Sequence, residues 1–184
     1  MTIHTEGRLA VQEYTYGDIK TLESHPSWMP VRYPRGDAEK MHAISPLDTR
    51  KKFTLECDCC LTVIPSGEEP STGEEISAVA HAAPGSVMYN CGCFRDELAA
   101  LLEELDIRTS QGKREVAVLA GRVGHERRNY EREYKESLLR ISLLTQKILG
   151  IAARVIHPPK KAAGPRFTHV FYDTPERTVL VATE

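Results

Sequence analysis

The sequence predicts an α+β protein: an extended N-terminal arm, a small zinc-knuckle module, a long helix or helical hairpin, and a C-terminal β-hairpin. Three observations carry this expectation. All five cysteines of the 184-residue chain lie between Cys57 and Cys93. An apolar seam at helical spacing runs from Val116 to Val155 without a proline. Near the end, β-branched and aromatic runs flank Asp173-Thr-Pro-Glu-Arg177, a hairpin signal. The expected boundaries are 1–52, 53–108, 109–157 and 158–184.

Residues 1–52 show weak periodicity and are interrupted by Pro26, Pro30, Pro34 and Pro46. They read as an extended arm with one short strand at Leu9–Tyr16, either disordered or ordered only against a partner. Arg35-Gly-Asp37 matches an integrin-binding tripeptide, but a polar turn is the plainer reading.

The cysteines form two groups, Cys57-Asp-Cys59-Cys60 and Cys91-Gly-Cys93, separated by a stretch rich in Gly, Pro, Ser and Glu. Two close pairs brought together by a loop suit a tetrahedral four-thiolate site, so Cys57, Cys60, Cys91 and Cys93 are the expected ligands of a Zn2+ ion. Phe53-Thr-Leu55 reads as a strand entering the first pair and Leu61–Ile64 as a strand returning from it. Cys91 and Cys93 precede a helical pattern, whose N-terminal dipole favours thiolates. Cys57-x-x-Cys60, Ile64, Gly67-Glu68 and the helix-preceding Cys91/Cys93 resemble the treble-clef and zinc-ribbon group. The resemblance covers roughly 53–106 and implies a structural metal site. The second pair departs from that pattern, being C-x-C with Asn90 where a His is usual, so Cys59 and His81 are alternate ligands. An iron–sulfur cluster or disulfides are the other uses of such thiols. A zinc-deaminase site needs H-x-E, and His81-Ala-Ala83 lacks the glutamate.

After Cys93, Phe94, Leu98, Leu101, Leu102 and Leu105 recur at spacings of three and four, with Asp96, Glu97, Glu103 and Glu104 opposite. That is an amphipathic helix. Arg108–Gly112 breaks it, and a second seam follows: Val116, Ala120, Val123, Arg127, Tyr130, Tyr134, Ser137, Ile141, Leu144, Ile148, Ile151, Val155. One continuous helix over this span would be about 60 Å long, so it should project or pair as a coiled coil. Gly121 and Gly124 mark a place for a break. Tyr130, Tyr134, Ile141, Leu144, Ile148, Ile151 and Val155 are the candidate contact residues for a protein partner or a second copy.

Charge is polarised along the chain. Residues 55–108 hold 11 acidic and 2 basic side chains, a balance of −9. Residues 111–165 hold 12 basic and 5 acidic ones, a balance of +7. Interleaved glutamates in the basic stretch favour a solvated helix face over a phosphate-tracking one. Nucleic-acid binding by residues 111–165 is therefore the alternative reading. No charged-then-apolar leader or membrane-length apolar run stands out, which suggests a cytoplasmic or intravirion setting without a membrane partner. No phosphate-binding glycine loop, H-E-x-x-H, nucleophile elbow or paired-carboxylate motif occurs. The sequence therefore points to a non-enzymatic, zinc-stabilised assembly or adaptor protein acting through protein–protein contacts. A small enzyme with an unrecognised site is a further alternative.

Overall fold

The computed structural model describes residues 3–4, 7–14, 28–31, 42–56, 60–90, 93–109, 113–120, 128–157 and 167–183. These form a mixed α/β fold with two mixed β-sheets and three helices. In chain order the strands are β1 (Ile3–His4), β2 (Ala10–Tyr14), β3 (Trp28–Pro30), β4 (His42–Ile44), β5 (Lys52–Glu56), β6 (Leu61–Glu68), β7 (Glu75–Ser77) and β8 (Ala80–Ala82). Helices α1 (Pro84–Tyr89) and α2 (Phe94–Thr109), strand β9 (Arg114–Ala120), and helix α3 (Arg128–Leu149) follow. Strands β10 (Arg154–Ile156), β11 (Phe167–Asp173) and β12 (Thr178–Thr183) close the described chain.

Sheet 1 runs β1-β2-β12-β11-β5-β3; sheet 2 runs β10-β9-β6-β8-β4, with β7 also on β6. The layers follow from side-chain alternation in sheet 2. Leu61 and Val63 of β6, Val116, Val118 and Ala120 of β9, and Ala80 and Ala82 of β8 share one core with Phe94, Leu98, Leu102, Tyr134 and Ile141 of the helices. Cys60, Ile64, Val79, Ala117 and Leu119 share a second core with Leu9, Val11, Phe53, Val170, Tyr172 and Val179 of the sheet 1 side. Helices cover one face of sheet 2, and sheet 1 covers the other. A smaller cluster of Phe171 and Ala182, with Trp28 packed edge-on against Phe171 at 5.3 Å, lines the far face of sheet 1.

This architecture corrects the expected one in three places. No zinc knuckle forms among the described residues, because β5 and β6 do not pair. Strand β5 joins β11 and β3 in sheet 1, while β6 joins β7, β8 and β9 in sheet 2. The strands on either side of Cys57–Cys59 therefore belong to different sheets instead of forming one hairpin.

The long helix is also absent. Val116 and Ala120 lie in β9, and α3 spans 22 residues, about 33 Å. Gly150, at φ 69, ends α3 in the left-handed region, its N–H donating to the Gln146 carbonyl at 3.1 Å. Beyond it Ile151 is half-buried, and Val155 sits in β10, paired in parallel with Val118. The buried stripe of α3 packs on α1 and α2, so the described helices form no coiled coil; residues 121–127 lie outside the described set.

Third, the N-terminal segment is not an arm. Strand β2 pairs in parallel with β12, β4 pairs with β8, and Leu9 and Val11 are core residues. The C-terminal strands β11 and β12 form an antiparallel hairpin inserted between β5 and β2. Among the described residues, no helix is long and apolar enough to cross a membrane.

Candidate active site

Cys60 is the residue immediately before strand β6. Cys60 is 8% exposed and sits in the apolar layer between the sheets. Strand β8 lies beside β6 with Leu61 opposite Ala82, Thr62 opposite His81 and Val63 opposite Ala80. On its other side His81 faces Ala43 of β4. Ala80 and Ala82 point to the helices, so His81 between them points into the layer that holds Cys60.

This register gives Cys60 and His81 one sheet face on adjacent strands, one pleat apart. Diagonal neighbours of this kind have Cα atoms roughly 7–8 Å apart, within reach of a thiol and an imidazole turned toward each other. Ala43, directly across from His81 on β4, is small and packs on the same layer.

His81 is 4% exposed, and burial lowers its pKa from 6.5 to about 4. The cause is desolvation, which disfavours the imidazolium. At neutral pH the ring is therefore uncharged, the form that can take a proton. A thiolate forming beside it would favour the imidazolium and raise its basicity when the thiol ionises. A buried thiol and a neutral imidazole thus share one water-poor face of sheet 2.

The expected four-thiolate set fares differently. Cys57, Cys59 and Cys91 lie outside the described residues. Cys60 faces the inter-sheet layer, whereas Cys93 is exposed at the entry to α2, whose apolar stripe packs on the opposite face of sheet 2. Cys93 has φ 63, and the Arg95 backbone N–H donates to Asn90 Oδ1 at 2.7 Å in the first turn of α2. No group of three or more His, Cys, Asp or Glu among the described residues is arranged to hold a metal. His81, the alternate ligand, is placed with Cys60.

The candidate contact residues lie largely inward. Tyr134 and Ile141 are core, and Leu144, Ile148, Ile151 and Val155 pack against that core half-buried. The Tyr130 side chain lies outside the described residues. Helix α3 is fixed to α1 where Ser137 Oγ donates to the Pro84 carbonyl at 2.7 Å. Its outward leucines are Leu139 and Leu143, 52% and 60% exposed, neither in the seam. Two of the other histidines serve elsewhere: His42 sits on the helix side, its Nε2 3.1 Å from Glu97 Oε2 and its ring against Phe94, and His157 is exposed.

The Cys60–His81 juxtaposition carries no spacing signature, because strand register creates it. The one local hint is a histidine between small residues in Ala80-His81-Ala82, directly after Val79. No protein-family model matches this chain, and no curated protein matches it.

Proposed function

We propose that this protein is a cysteine-dependent acyl-transfer enzyme that hydrolyses an amide or ester, with Cys60 as nucleophile and His81 as general base. The observation that carries the reading is the β6–β8 register, which sets a buried thiol and a neutral imidazole on one face of adjacent strands. In the first half-reaction the Cys60 thiol proton passes to His81. The sulfur attacks the carbonyl carbon, and the carbonyl electron pair moves to oxygen. Collapse expels the amine or alcohol, which takes the proton from His81 and leaves a thioester on Cys60. In the second half, His81 takes a proton from water, the hydroxide attacks the thioester, and the carboxylic product leaves as the thiol is restored. This reading departs from the non-enzymatic expectation drawn from the sequence.

The test is acylation of the full chain by a nitrophenyl ester, followed by mass spectrometry. A thioester on Cys60 should form in the parent and vanish in Cys60→Ala, and His81→Gln should slow its formation by about 100-fold. Equal ester turnover by the parent and Cys60→Ala overturns the proposal.

A second reading is an assembly or adaptor role through protein–protein contacts, now centred on the outer face of α3. Its support is the pair of exposed leucines four residues apart, Leu139 and Leu143. Sedimentation of the parent against Leu139→Glu/Leu143→Glu tests it: a shift to a smaller species in the variant is expected, and an unchanged monomer in both overturns it.

A further inference from the structure

Among the described residues, four large apolar side chains are exposed: Tyr89, Ile107, Leu139 and Leu143. All four lie on the helices, and three of them stand on the outer faces of α2 and α3. Singly each would be ordinary, but these two helices are packed neighbours. Helical spacing aligns Asp96, Ala100, Glu103 and Ile107 as the exposed stripe of α2. On α3 the exposed stripe holds Leu139, Leu143 and Lys147.

Charge divides this surface between the helices. Helix α2 carries Asp96, Glu97, Glu103, Glu104 and Asp106 against Arg95 and Arg108. From Ser137 to Leu149, α3 carries Arg140 and Lys147 and no acidic residue. Glu103 and Lys147 make no ion pair among the described residues.

The two helices also run the same way. Phe94, at the start of α2, packs on His42, which pairs with Ala82 of β8. Thr109, at its end, lies against Gly67 near the far end of β6. Ser137 of α3 donates to the Pro84 carbonyl, two residues past Ala82. Beyond α3, Arg154 lies beside Ala117, which pairs with Ile64 further along β6. Phe94 and Ser137 are thus about level, and counting on from them brings Ala100 level with Leu143 and Glu103 beside Lys147.

Two copies can meet through such a face about a twofold axis in two ways. An axis across the helices lays α2 on α2 and α3 on α3, like charge on like charge. An axis along the helices lays α2 of each copy on α3 of the other, acid on base, and leaves every residue at its own height. We propose that the protein forms a twofold dimer by the second arrangement, with Ala100 and Ile107 of one copy covering the Leu143 side of α3 in the other. Glu103 then meets Lys147 of the other copy twice, once on each side of the axis. Helices about 24 and 33 Å long offer a contact at the small end of specific interfaces, so the dimer is weak and concentration-dependent. The inference rests on the assembly reading of the α3 outer face and names its partner as a second copy of this chain.

The full chain is sedimented from about 1 to about 300 µM, the parent beside Leu139→Glu/Leu143→Glu, Glu103→Lys, Lys147→Glu and Glu103→Lys/Lys147→Glu. All four positions are exposed, so the variants should keep the parent's circular dichroism. The parent should dimerise in the micromolar range, and the leucine variant should stay monomeric. Each single charge reversal should weaken the dimer by about tenfold, because the symmetry repeats the fault. The combined reversal restores opposite charges across both contacts and should return the dissociation constant to within about threefold of the parent. A monomeric leucine variant beside reversals that change nothing, or that add when combined, overturns the α2-on-α3 pairing and leaves the assembly reading standing. A parent that is monomeric throughout, or a dimer that survives in the leucine variant, overturns both.

Discussion

At the scale of single residues, burial decides what His81 is. An exposed imidazole is half-charged near pH 6.5, but here desolvation lowers the pKa to about 4. The folded value is depressed, so the unfolded chain binds the extra proton between these two values. Stability from this group is full above pH 6.5 and is lost as pH falls toward 4, at most about 3 kcal/mol. Urea midpoints at pH 7.5 and 4.5 should therefore fall further for the parent than for His81→Gln, which has nothing to protonate at that position. Parallel losses would show that the site does not discriminate against charge. Gly67 is decided by space in the same way. A Cβ there would come within 2.8 Å of Thr109 Cγ2 and 3.2 Å of the Lys113 carbonyl, where β6 passes the end of α2. Gly67→Ala should cost about 1–3 kcal/mol in chemical denaturation, and a neutral result would mean that α2 can withdraw.

Among the elements, α2 was plain in the sequence and β9 was not, for a physical reason. The stripe Phe94, Leu98, Leu101, Leu102, Leu105 is amphipathic, since one side of α2 faces water, and all five are buried, with Thr109 at the helix end. Strand β9 is covered on both faces, by helices and by sheet 1, so from Val116 to Ala120 its sequence is continuously apolar and shows no alternation. Val116 and Ala120, four apart, satisfy a helical step and a two-residue strand period alike, which extended the seam of α3 into the wrong element. The cysteine pairs misled differently: spacing cannot reveal that β5 and β6 enter different sheets. The candidate site was half legible, since Cys60 and His81 were both singled out, but as ligands, because a cross-strand register is set by long-range pairing. Within α3 the inward positions still sort correctly. Ile141→Asp places an unpaired charge at a 1% exposed core position and should abolish cooperative folding. Arg132→Asp, on the exposed side, should stay within about 0.5 kcal/mol of the parent by thermal or chemical melting. Equal effects at the two positions would mean that the described packing of α3 is wrong.

Across the whole molecule, charge as well as apolar area ties the parts together. Arg8, ahead of β2, donates to Glu75 of β7 at 2.6 Å, and Arg177, from the β11–β12 turn, meets the same carboxylate at 3.0 Å. Glu115 of β9 accepts the Arg8 and Leu9 backbone N–H groups at 2.5 and 3.1 Å, while Arg154 of β10 pairs with it at 2.5 Å. The network thus links both sheets through carboxylates that the layers enclose, Glu75 being 2% exposed at its side chain. Its net worth is less than its geometry suggests. Burial raises the Glu75 carboxyl above the usual range even though two guanidinium groups pull the other way, so desolvation outweighs the attraction there. Removing one partner is another matter, since it leaves the other charge enclosed without compensation. Glu75→Leu alone and Arg8→Met alone should each cost about 3 kcal/mol, whereas the double variant, which removes both charges and leaves the half-exposed Arg177 to solvent, should cost less than either. Denaturant midpoints of the four proteins close this cycle. Losses that simply add would mean that Arg8 and Glu75 act independently, and the joining of the sheets would then rest on the apolar layer around Cys60 and Tyr172 alone.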